Sequence, residues 1–101
     1  MKLLISFIIL SVIVFYGFNL AFVIAHEDVH KQIFESYGVN STVEIDYLTL
    51  KAFTTGLKSC PEGCNLAHNI NESVGYHLVP IMDMLIAFFL INLYIKIRNK
   101  E

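Results

Sequence analysis

The chain is apolar at both ends and polar in the middle. No charge interrupts Leu3 to Ala25, and only Pro80, Asp83 and Asn92 break the run from Leu78 to Ile95. As helices these 23 and 18 residues measure about 34 and 27 Å at ~1.5 Å per residue. A hydrocarbon core is about 30 Å thick, so both blocks predict membrane spans, the first with some tilt. Ala25 to Tyr37 lacks Pro and Gly, and Ile33, Phe34 and Tyr37 recur at helical spacing. The first helix therefore continues beyond the membrane to a stop at Gly38. From Thr42 the period falls to two. Val43, Ile45 and Tyr47 alternate with Thr42, Glu44 and Asp46, the pattern of a strand with one wet face. Leu50 to Thr55 reads as a second strand. A lone hairpin is marginal, and the helix extensions are what it has to pack on. Asn65 is a good N-cap for a last helix through His68, Glu72 and Tyr76, which Pro80 either kinks or restarts.

These elements predict a mainly α membrane protein: a two-transmembrane-helix hairpin with a small extracytoplasmic α+β cap. The expected boundaries are 1–25 for the first span, 26–77 for the cap, 78–96 for the second span and 97–101 for a tail. Composition agrees, since 55% apolar residues and a mean hydropathy of +0.60 exceed what a soluble domain of 101 residues carries. Val23-Ile24-Ala25 also resembles a signal-peptidase site. The apolar run is longer than the ~7–15 residues of a signal h-region, however, and favours an uncleaved anchor.

Charge sets the expected orientation. Lys2 precedes the first span, and Lys96, Arg98 and Lys100 follow the second, which predicts cytoplasmic termini. Residues 26–77 carry three Lys against seven carboxylates, a net charge of −4 suited to the outer side. Without a basic patch, nucleic acid is excluded as a partner. The partners left are the lipid bilayer, a peptide or protein substrate, and further copies of the chain. Outside the cytoplasm, Cys60 and Cys64, separated by Pro61, Glu62 and Gly63, predict a local disulfide. A metal site on both thiolates lacks a second ligand pair, and a redox site would want C-x-x-C.

The chemistry concentrates in His26-Glu27-Asp28-Val29-His30. On a helix, residues four apart share a face, so both imidazoles can reach one ion. A Glu beside the first ligand can take a proton from water on zinc. This H-E-x-x-H resembles the zincin metallopeptidases, and Ile70-Asn71-Glu72 is similar to the second motif of the gluzincins. The resemblance implies zinc held by His26, His30 and Glu72, with Glu27 as the base. Asp28 and Lys31 stand where zincins carry uncharged residues, and Tyr76 where thermolysin-like members carry Asp.

Counting residues from the membrane edge puts His30 about 7 Å and Glu72 about 9 Å above it on antiparallel helices. His26 matches His77 in the same way. Tyr76 or His77 is a candidate hydrogen-bond donor to an oxyanion, and His68 and His77 are alternative third ligands. Asn69 with Glu72 also fits a capping box, in which Glu72 only satisfies backbone. The expected function is a membrane-bound zinc-dependent hydrolase, a metallopeptidase at the outer surface. A variant resembles the site-2 proteases, with Asp83 as its later acidic residue. The alternative is a non-catalytic membrane protein whose His/Glu cluster holds a structural metal or mediates interactions.

Overall fold

The computed structural model describes residues 1–100. It consists of helix α1 (Lys2–Ser36), strands β1 (Ser41–Asp46) and β2 (Lys51–Gly56), and helix α2 (Glu62–Lys100). The two long helices are antiparallel partners in a rod measuring 60 × 22 × 15 Å. Each carries an 18-residue window long and apolar enough to cross a membrane, with mean hydropathy 2.5 in α1 and 2.1 in α2.

The α1 helix runs unbroken through the apolar block and the H-E-x-x-H segment. It ends at Gly38, as its sequence requires. Gly38 adopts φ +74°, which needs no Cβ, and donates its N–H to Glu35 O, while Val39 N–H reaches Phe34 O. That pair of bonds is the Schellman stop. Val39 is buried beneath it.

The two strands pair antiparallel, from Ser41 opposite Gly56 to Asp46 opposite Lys51. Val43 and Ile45 lie on the inner face, as the alternation requires. Tyr47, expected in the strand, begins the turn instead. Asp46 ends β1 because its Oδ1 accepts the Leu48 N–H at 3.0 Å and its carbonyl accepts Leu50 N–H at 2.8 Å. Leu50 closes the turn in the left-handed region, at φ 59°.

The hairpin folds back along α1 rather than standing on the helix extensions alone. Phe34 packs on Gly56, where an added Cβ would lie 2.6 Å from the Phe34 ring. Lower down, Tyr16 Oη donates to the Tyr47 carbonyl at 2.5 Å. Tyr16 precedes His26 by ten residues, so the tip lies about 15 Å down the helix.

The α2 helix begins at Glu62, three residues before the expected cap. Asn65 N–H already bonds to Pro61 O at 3.1 Å, so Asn65 sits in the first turn. Cys60 and Cys64 are bridged, with Cα atoms 5.7 Å apart, and Cys64 is fully buried. The bridge ties the entering chain to that turn. Pro80 lies inside α2, which continues through it. The facing positions Cys64, His68, Glu72, Gly75 and Val79 recur every three to four residues, and Asn19 Nδ2 donates to Asp83 Oδ1 at 2.8 Å further down. Opening the small Cys60–Cys64 loop by replacing both cysteines with alanine should destabilise the protein by less than the ~3 kcal/mol of a 15-residue loop. Thermal unfolding in detergent measures this, and a larger loss would show that the bridge carries more than the start of α2.

Candidate metal centre

The α1–α2 register brings His26, His30 and Glu72 together. His26 Nε2 lies 3.0 Å and His30 Nε2 2.5 Å from the same atom, Glu72 Oε1. Both imidazoles thus converge on one carboxylate oxygen. His30 is buried, while Glu72 is partly open to the surface. The capping-box reading of Glu72 falls away, because Asn69 lies inside α2 and the carboxylate turns to the two rings.

Close helix approach makes this possible. Gly75 is buried against His26, and a Cβ there would stand 2.9 Å from the ring Cε1. Asn71 Nδ2 donates to the His26 carbonyl at 3.3 Å, and the Phe22 ring stacks on His26.

Glu27 sits beside the pair, and its carboxylate can share a metal with the ligand nitrogens of His26 and His30, all within 4.8 Å of one another. It is only 5% exposed. Thr54 of β2 holds it, donating its hydroxyl to Glu27 Oε2 at 2.6 Å. No local pattern in the sequence marks Thr54 for this role. The hairpin is therefore part of the site.

His68 supports His30 from the other side. Their Nδ1 atoms are 2.6 Å apart, and Phe34 packs on the His68 ring at 4.3 Å between centroids. Burial pushes the His68 pKa down, the charge of His30 adds to this, and Glu72 opposes it. His68 Nε2 is buried without a hydrogen-bond partner among the described residues. His68 can also share a metal with Cys60 and Cys64, but those sulfurs are bridged. For Glu72, burial alone would raise the pKa. Hydrogen bonds from His26 and His30, with their charges, outweigh it and hold the carboxyl below its usual range.

Of the remaining expected residues, Tyr76 is exposed and lines a cleft of about 740 Å³ with His26, Glu27 and Glu72. His77 is exposed and donates Nδ1–H to the Ser73 carbonyl at 2.7 Å. Its height was matched to His26, but five residues beyond Glu72 is about 140° around the helix. The opposite wall of the cleft is Leu50 to Phe53 of the turn and β2. The strand bordering the cleft is thus β2.

Acid should loosen this cluster. For both His68 and Glu72 the folded pKa lies below the usual 6.5 and 4.5, so the unfolded chain binds the proton more readily. Stability then rises with pH through both windows and is lost on acidification, first through His68 and then through Glu72. The melting temperature of the metal-free protein should fall steadily from about pH 7 to about pH 4, and a rise would contradict the assignment.

Comparisons with known protein families, with curated proteins and with solved structures find no match, so the chemistry rests on these side chains.

Proposed function

We propose that the chain is a membrane-anchored zinc-dependent hydrolase of gluzincin-like chemistry, cutting peptide bonds at the outer membrane surface. One observation carries the reading: His26 Nε2 and His30 Nε2 meet on Glu72 Oε1. Two imidazoles and a carboxylate are the His₂Glu donor set of catalytic zinc sites, which leave one position open. Neither alternative histidine takes that position, because His77 bonds to Ser73 and the Nδ1 of His68 is spent on His30. This favours catalysis over a closed structural clamp.

Zinc, when bound, lowers the pKa of a water and polarises the substrate carbonyl. Glu27 takes the water's proton as the oxygen attacks the carbonyl carbon, then returns it to the leaving nitrogen as the C–N bond breaks. Thr54 keeps the Glu27 carboxylate aimed, leaving its other oxygen free for the proton. Tyr76, on the cleft wall, is the candidate donor to the developing oxyanion. With His30 Nε2 committed to a metal, its proton sits on Nδ1, and a neutral His68 accepts it.

The strand edge suits an extended substrate. Leu57 N–H bonds to Asn40 O, and alternation along the ladder then turns the N–H and C=O of Ala52 and Thr54 away from β1. A peptide could add to that edge, beside the metal centre.

Occupancy and activity should separate on mutation. Glu27→Gln should keep zinc and lose about 10²–10⁴-fold in peptide hydrolysis, the usual worth of a general base. Glu72→Ala should lose zinc, and His68→Ala should weaken its binding about 10–100-fold. Metal content of the detergent-purified protein, measured beside hydrolysis, decides this. Glu72→Ala with undiminished zinc would refute the ligand set.

For orientation, the basic residues at 96, 98 and 100 favour cytoplasmic termini. A cysteine introduced at Ser36 should react with an impermeant thiol reagent from outside intact cells, and one at Asn99 should not. The reverse pattern would invert the topology.

A further inference from the structure

We infer that the tip of the hairpin, Tyr47 to Leu50, is an interfacial anchor whose partner is the lipid headgroup boundary. The outer face of the bilayer then lies at the Asn19–Asp83 level, below the edge near Ala25 and Leu78 that hydropathy suggests. This rests on the membrane reading of the proposed function and extends it.

Four observations carry it. The tip is fastened to the apolar part of α1, with the Tyr47 carbonyl accepting from Tyr16 Oη. Two of its apolar side chains stand out from the protein: Leu48 is 91% and Tyr47 57% exposed. Three of its four N–H groups need no water, because Asp46 accepts those of Leu48 and Thr49 through its carboxylate and that of Leu50 through its carbonyl. Backbone satisfied inside a turn is what entry into a headgroup layer requires.

The fourth observation is a polar belt. Asp46 and Lys51 flank the turn, and the cleft wall that includes Lys51 also includes Asn19, which bonds to Asp83. On the membrane side of this belt, Leu3–Phe18 and Met84–Ile95 contain no charge. From Lys2 to Asn19 is 17 residues, the short end of the roughly 17–25 that span a bilayer. An edge at Ala25 would instead sink Asp46 and Lys51 into hydrocarbon, where each charge is costly. Tyr16 and Tyr47 at the belt fit the interfacial preference of tyrosine.

The metal centre then stands clear of the lipid. His26 is seven residues above Asn19, about 10 Å along the helix. The substrate implied is a juxtamembrane stretch of chain held just above the surface, rather than a bond within the bilayer.

Single cysteines at Ser36, Leu48 and Leu10, each carrying a fluorophore in phosphatidylcholine vesicles, test this with nitroxide-bearing lipid as quencher. The native disulfide leaves no other thiol to label. Nitroxide near the headgroup should quench position 48 strongly, nitroxide deep in the acyl chain should quench position 10, and position 36 should keep its intensity. If 48 behaves like 36 while 10 is quenched, the anchor is wrong and the membrane span stands. If 10 is also unquenched, the membrane reading itself has failed and the anchor falls with it.

Discussion

The approach of Gly75 to the His26 ring is the contact on which the rest of the structure depends. A methyl at residue 75 would stand 2.9 Å from Cε1 and 3.2 Å from Nδ1 of that imidazole. An imidazole held by a hydrogen bond to Glu72 is not a flexible tail that can swing aside. Small residues at a helix interface let the two backbones pack closely. Gly75 has that role at the top of the pair, while Phe7 against Tyr94 and Asn19 against Asp83 keep the same register below. Once the register is fixed, His26 and His30 have one carboxylate to meet, and it is Glu72.

The cluster that results is unfavourable as it stands, which bears on what it does. Glu27 is a buried carboxylate whose side-chain partner is a single hydroxyl, fewer than its two oxygens can accept. A divalent cation between the rings and Glu72 would end the crowding of two ring nitrogens onto one oxygen. A hairpin meant only for stability would do better with apolar residues at these positions.

Much of the fold was legible because it is written in local periods. The 3.6-residue stripe, the stop at Gly38 and the alternation through Val43 and Ile45 each act within a few residues. The pairing of Glu72 with the H-E-x-x-H segment could be anticipated too, since height along two antiparallel helices follows from counting. The rest was hidden for identifiable reasons. Height says nothing about face, so His77 looked equivalent to residues that point into the site, although it lies about 140° away from Glu72. The early start of α2 depends on Pro61 and a covalent bridge rather than on the capping strength of Asn65. Thr54, His68 and the downward course of the hairpin depend on contacts between residues 27 to 38 positions apart. No window of local sequence contains both partners.

Those long-range contacts give the hairpin two ends with different tasks. At Thr54 it holds the carboxylate proposed as the base, and at Tyr47 it is fastened to the apolar part of α1. Between them run three β2 residues, Lys51 to Phe53, and the turn, in a ladder whose paired hydrogen bonds resist sliding. A shift of the tip therefore moves Thr54 against Glu27. With the tip in the headgroup layer, as inferred here, the depth of the protein in the bilayer and the aim of Glu27 become a single mechanical quantity. That would explain why a chain with so small a cap spends two strands on a hairpin. The helices alone could bring His26, His30 and Glu72 together, but without β2 the site would lack the group that orients Glu27, the second wall of its cleft and its fixed height above the lipid.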